Sequence, residues 1–149
     1  MKMKTFSIKK ADITRKWYIL DATEAPLGRV STVAASLLIG KGKPTLTSHM
    51  DGGDYVIIIN ADDTVVTGGK MDKKIYYRHS GFPGGIYQRT LRETMEKDST
   101  LALRHAIRGM LPVNKLRDGR LERLKIYGGA DHNHNAQQPE ILSLKKGAK

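Results

Sequence analysis

The chain has 149 residues, enough for one domain with a real core, and carries 26 basic against 15 acidic side chains, a formal net charge of +11. Such an excess opposes the compact state by self-repulsion unless a polyanion offsets it, which points to nucleic acid or an anionic membrane as partner. The sequence contains no cysteine for a disulfide framework or thiolate metal site and no run near the roughly 18 apolar residues of a spanning helix, and MKMKTFSIKK lacks a signal peptide's apolar stretch.

In chain order, residues 1–16 carry Lys2, Lys4, Lys9, Lys10, Arg15 and Lys16 against Asp12 alone and read as an exposed basic arm. WYIL, from Trp17 to Leu20, is aromatic and β-branched and predicts the first strand. Pro26 opens a helix, where its missing N–H costs nothing, and Leu27, Val30, Ala34, Leu37 and Leu38 recur at helical spacing on one face. Gly40 and Gly42 end it, and Pro44 prevents its return. DYVIIIN, residues 54–60, contains a continuous β-branched run that predicts a strand buried on both faces. Strand, helix and buried strand in that order imply a parallel or mixed sheet in an α/β fold.

Further strands are predicted over Thr64–Thr67 and Lys74–Tyr77, the second leading into a glycine-rich stretch. Thr90 and Glu93 have the spacing of a capping box, opening a short helix with Leu91 and Met95 on one side. Asp98 or Ser99 caps the next helix, whose apolar face is Leu103, Ile107, Met110 and Leu111; Arg104 and Arg108 lie on another face and Pro112 stops it. Asn114 caps a last short helix, and Leu124–Tyr127 predicts the final strand. The resulting division is a basic arm over 1–16, a single α/β domain over 17–142 and a basic tail over 143–149.

No stretch fits G-x-x-x-x-G-K-[ST], and G-x-G-x-x-G is absent after the first strand, where only Gly28 stands, so a nucleotide cofactor is not expected. Asp131, His132 and His134 in GGADHNHNAQQ resemble a metal-binding run, but His49, His79 and His105 are scattered, and a polar loop contacting RNA is the better reading. Asp51, Asp54, Asp62 and Asp63 sit in turn-like settings.

The stronger signal is basic. Arg104, Arg108, Lys115, Arg117, Arg120, Arg123 and Lys125 stand against Asp118 and Glu122, and arginine's planar fork suits phosphate. In RHSGFPGGIYQRT, residues 78–90, Gly81, Gly84 and Gly85 leave backbone bare beside Arg78, His79 and Arg89. Those groups donate well to an anion, although Gly84 and Gly85 serve a tight turn equally well. Aromatic residues make up only 6%, so phosphate and shape contacts to folded RNA are expected rather than a stacking platform for single strands.

WYILDATEAPLGRVSTVAASLLIGKGKP, HMDGGDYVIIINAD, VTGGK, YYRHSGFPGGIYQRT, AIRGMLP and RLKIYGGADHNHNAQQPE follow one another over nearly all of residues 17–140. In these six ordered blocks the chain resembles the bacterial family of ribosomal protein thirteen of the large subunit. The resemblance implies a three-layer α/β/α fold around a four-stranded sheet. It implies a structural role in the large subunit, bound to the large (23S-type) ribosomal RNA beside other ribosomal proteins in the cytoplasm and assembled early. It implies no catalytic residues, no cofactor, no small-molecule substrate and no membrane. The RNA-contact candidates are then Lys41, Lys43, Arg78, His79, Gly84, Gly85, Arg89, Arg104, Arg108, Lys115, Arg117, Arg120, Arg123, Lys125, His132 and His134. One departure stands out: Leu116-Arg117-Asp118 replaces the family's usual Leu-Gly-Arg, leaving Arg117 or Arg120 to supply the contact there. The competing readings are a metal-dependent nuclease or phosphotransferase using Asp131, His132 and His134, and a free-standing RNA chaperone or mRNA-binding regulator.

Overall fold

The computed structural model describes residues 7–144; Lys2, Lys4 and most of the basic tail lie outside them. The strands are β1 (Trp17–Asp21), β2 (Tyr55–Ile59), β3 (Ile75–His79), β4 (Ile86–Thr90), β5 (Leu124–Ile126) and β6 (Glu140–Ile141). The helices are α1 (Leu27–Ile39), α2 (Lys70–Lys73), α3 (Leu91–Lys97), α4 (Ser99–Met110) and α5 (Arg117–Glu122). Four strands form a wholly parallel sheet in the order β5-β2-β1-β6, flanked by helices, and β3 and β4 form a separate antiparallel hairpin. The expected α/β fold around a four-stranded sheet is therefore present, with the sheet parallel rather than mixed.

Alternation along the strands sorts the core. In register, Leu20 lies beside Ile58, Tyr18 beside Val56 and Val56 beside Leu124, so these share one face. Leu20, Val56 and Ile58 are fully buried there with Val30, Ala34 and Leu38 of α1 and Leu103 and Ile107 of α4. Each buried Val, Leu or Ile among them contributes about 1.5–3 kcal/mol of transfer free energy. Ile19 and Ile57 are buried on the opposite face. Along that face Trp17 and Tyr55, register partners, stack with centroids 4.2 Å apart and planes 5° from parallel, and the His134 ring lies 5.0 Å from Trp17.

Helix ends follow their sequence signals. Gly40 closes α1 in the left-handed conformation at φ 83°, donating to Ser36 and Leu37 carbonyls. Thr90 and Glu93 form a complete capping box on α3, and the Asp98 carboxylate accepts from Thr100 N at 3.0 Å on α4. Asn114 is not the cap of α5: it stands two residues before the N-cap Leu116, whose N–H donates to its Oδ1 at 3.1 Å.

Residues 64–67 are not a strand. The Val65 carbonyl instead accepts from Leu27 N at 2.9 Å, tying this segment to the start of α1. Residues 86–90, for which the sequence predicted no element, are a strand, and β6 follows the strand predicted to be last. The described part of the arm, residues 7–16, lies against the body. Ile8 is buried, Arg15 donates to the Asp51 carbonyl at 3.0 Å, and Lys16 N donates to Asp54 at 2.9 Å.

Candidate nucleic-acid interface

The glycine-rich stretch is the turn of the β3–β4 hairpin. Gly81 and Gly84 have φ of 90° and 72°, backbone that disfavours any side chain. Ser80 N donates to Gly85 O at 2.8 Å and Gly85 N to Phe82 O at 3.0 Å. Both polar groups of Gly85 are thus used inside the turn, and a Cβ there would lie 1.9 Å from Ser80 Oγ. Gly85 closes the turn, and its amide is already engaged there. His79 Nδ1 accepts from Gly81 N at 3.0 Å, leaving Nε2 as its remaining polar ring atom.

Pairing places Arg78 opposite Tyr87 and Tyr76 opposite Arg89, so these four share one face. Arg78, His79 and Arg89 are exposed. From Lys73 to Arg92 the chain contains no acid, and the flanking Asp72 is bound to Arg92 at 2.8 Å. At the hairpin's base Tyr76 stacks on His105 of α4 with centroids 5.3 Å apart, under the Lys74 ammonium at 5.6 Å. Burial pushes the Tyr76 hydroxyl above its ordinary pKa, so this ring stays neutral at physiological pH. Below it a groove of about 480 Å³ is lined by Lys70, Lys73 and Lys74 over Leu27, Leu91 and Ala106. The sequence reading missed these lysines and Tyr76. The absence of acid between Lys73 and Arg92 was a signal for Lys73, Lys74 and Tyr76 as part of a basic segment, but not for the groove, which only the fold assembles.

Helix α4 presents Arg104 and Arg108 to solvent, and Lys115 and Lys41 are exposed on loops. Arg104 and Lys125 come together in a cleft of about 430 Å³ beside the edge strand β5, with Glu122 and Tyr127. Arg117 begins α5 as an ordinary helical residue, half-buried, with Asp118 in the first turn where the helix dipole favours an acid. The departure from the family's usual glycine therefore carries no backbone strain.

Three basic candidates point inward. Arg123 Nη2 donates to Asp51 Oδ1 at 2.8 Å and to the Leu38 carbonyl at 3.2 Å, and Nη1 donates to Asp51 Oδ2. Arg120, only 3% exposed, reaches the same carboxylate through Nε at 3.3 Å. Lys43 donates to Asp54 at 2.6 Å, to Gly52 O at 2.9 Å and to Thr14 O at 2.8 Å, which saturates its ammonium. Arg120, Arg123 and Lys43 are thus internal ties between the arm, the 51–54 loop and α5. Gly53 makes this junction possible, since a Cβ there would sit 1.8 Å from Leu38 O.

The histidine loop is engaged through its rings. His134 packs on Trp17 and meets Tyr127 edge-on at 6.1 Å, while His132 Nδ1 accepts from His134 N at 3.3 Å. Among the described residues no three His, Asp or Glu groups are disposed to hold a metal, so the nuclease reading gains no support from the geometry.

The pattern of the family described as Ribosomal protein L13 matches residues 15–133. "Large ribosomal subunit protein uL13" of Neisseria gonorrhoeae is 52% identical over 143 residues, which cover 96% of this chain and 100% of the relative. The protein of the same name from Mycolicibacterium smegmatis is 51% identical over 144 residues, covering 97% and 98% of the two chains. That from Clostridioides difficile is 46% identical over 143 residues, covering 96% and 100%. A parallel four-stranded α/β body bearing an acid-free basic hairpin and matched along nearly its whole length places this chain in the ribosomal protein L13 family.

Proposed function

We infer that the chain is a structural constituent of the large ribosomal subunit. It binds the large-subunit RNA through phosphate and shape contacts, supports early assembly of the particle beside neighbouring ribosomal proteins, and has no catalytic role. Near-full-length identity of about half to relatives named as large-subunit proteins carries this reading. The charge of +11 supports it, since packed RNA offsets self-repulsion that the folded chain alone does not. The contacts are assigned to the exposed set: Arg78, His79 and Arg89 on the hairpin, Arg104 and Arg108 on α4, and Lys41 and Lys115, with Arg117 and Lys125 at the margin. Residues 17–142 act as one domain, against which residues 7–16 pack, and the flanking basic segments add charge.

Sedimentation of a bacterial extract in moderate and then high salt tests the reading. The chain, followed by antibody, travels with large subunits and survives the high-salt wash. Recovery at the top of the gradient would reject the subunit assignment and favour the free-standing regulator.

A further inference from the structure

Six tyrosines and two phenylalanines in 149 residues argue against a base-stacking surface on composition alone. Tyr76, Tyr77, Phe82 and Tyr87 nevertheless lie together on one hairpin. Phe82 at the turn is 75% exposed, Tyr87 64%, Tyr77 62% and Ile86 56%. A two-stranded ribbon is marginal on its own, and contiguous exposed apolar side chains mark a surface that another molecule covers.

Charge selects the occupant. The hairpin carries Arg78, Arg89 and His79 with no acid between Asp72 and Glu93, and among the described residues neither Arg78 nor Arg89 has an ion-pair partner. On the face shared by Tyr76, Arg78, Tyr87 and Arg89, ring and guanidinium alternate across and along the strands. Tyr76 is already stacked on His105, which leaves Tyr87 as the free ring of that face. It has Arg78 directly opposite, at about 5 Å between Cβ atoms, and Arg89 two positions on, at about 7 Å. An exposed ring between two unpaired guanidiniums suits a base face between its flanking phosphates. Base faces are hidden in a duplex and free in loops and bulges.

We propose that the β3–β4 hairpin binds unpaired RNA, with Tyr87 and Phe82 stacking on bases and Arg78 and Arg89 holding the adjacent phosphates. This rests on the RNA-binding reading above and specifies the form of RNA that the hairpin takes: an unstacked segment, read by ring faces, rather than a helix read by shape.

The test uses the full chain and two fluorescent RNAs of about 12 nucleotides per strand, one single-stranded and one duplex, titrated by anisotropy between roughly 50 and 200 mM salt. The single strand binds more tightly. Phe82→Leu with Tyr87→Leu weakens that binding about tenfold or more while leaving the salt slope unchanged, because the rings release no counterions. Arg78→Gln with Arg89→Gln reduces the slope by about 1.4, two contacts of roughly 0.7 each. Both pairs are exposed, and an unchanged emission from Trp17 confirms folding. Equal binding by the leucine variant and the parent, a preference for duplex, or no binding of either RNA overturns the proposal. So does a leucine variant that binds RNA normally but fails to enter large subunits, which would assign the hairpin to a protein neighbour. If the parent co-sediments with large subunits while the stacking test fails, only this proposal falls; if the parent does not co-sediment, the subunit reading fails with it.

Discussion

At Asp51 two guanidiniums converge on one carboxylate, and the two are not equivalent. Arg123 forms a fork on Asp51 and also ties to the Leu38 and Gly119 carbonyls, whereas Arg120 makes one long bond and leaves Nη1 buried without a partner among the described residues. Arg123→Met is therefore expected to cost about 3–5 kcal/mol, as for breaking a buried pair, and Arg120→Met about 1 kcal/mol, read from urea unfolding. A larger loss at Arg120 would refute this ranking. Burial pushes the Asp51 carboxyl upward, but hydrogen bonds and charge from Arg123 and then Arg120 outweigh it and hold its pKa below the ordinary 3.8. A depressed carboxylate stabilises the fold above its unfolded pKa, and that contribution fades as pH falls through the folded value. The stability gap between the parent and Asp51→Asn is then widest near neutral pH and closes below about pH 4, and a pH-independent gap would contradict the linkage. Sequence reading assigned Arg120 and Arg123 to RNA and Asp51 to a turn because charge along a chain does not reveal direction. The link spans about 70 residues, and only the fold brings its ends together.

Among the elements, α1, β1, β2 and the cap of α3 were legible because each is specified by its own residues. Helical spacing, a β-branched run and the Thr90–Glu93 pair need no distant partner to be recognised. Thr90→Ala is predicted to remove about 1 kcal/mol by leaving the first turn of α3 without its side-chain acceptor, measurable as a lowered urea midpoint with unchanged slope. The hairpin was half legible. β3 was expected, but β4 was hidden because its outward residues Ile86, Tyr87, Gln88 and Arg89 are all exposed and show no buried alternation. TVVT deceived in the other direction. Its composition is that of a strand, yet it joins no sheet, and the Val65 carbonyl instead serves the start of α1.

For the whole molecule, net charge indicated an anionic partner, and the exposed arginines on α4 and the hairpin agree with it. The lysine-lined groove was not legible, because α2, β3 and α4 meet there from separate parts of the chain. If about five phosphates are neutralised, affinity for single-stranded RNA falls with a log–log salt slope near −3.5, and Arg104→Gln with Arg108→Gln makes it shallower by about 1.4. A slope unaffected by that pair would place the contacts elsewhere. The sheet order also bears on how the protein is made. β1 lies between β2 and β6, and although β2 is its next strand in the chain, β6 is the last. During synthesis, at roughly 5–20 residues per second, one flank of β1 waits on the order of ten seconds after the other has been covered. Through that interval Tyr18 and Ile19 offer unpaired backbone to any neighbouring nascent chain. A chain stopped after residue 139 would make that interval permanent, so it should appear in the pellet of a cell lysate where the full chain stays in the supernatant.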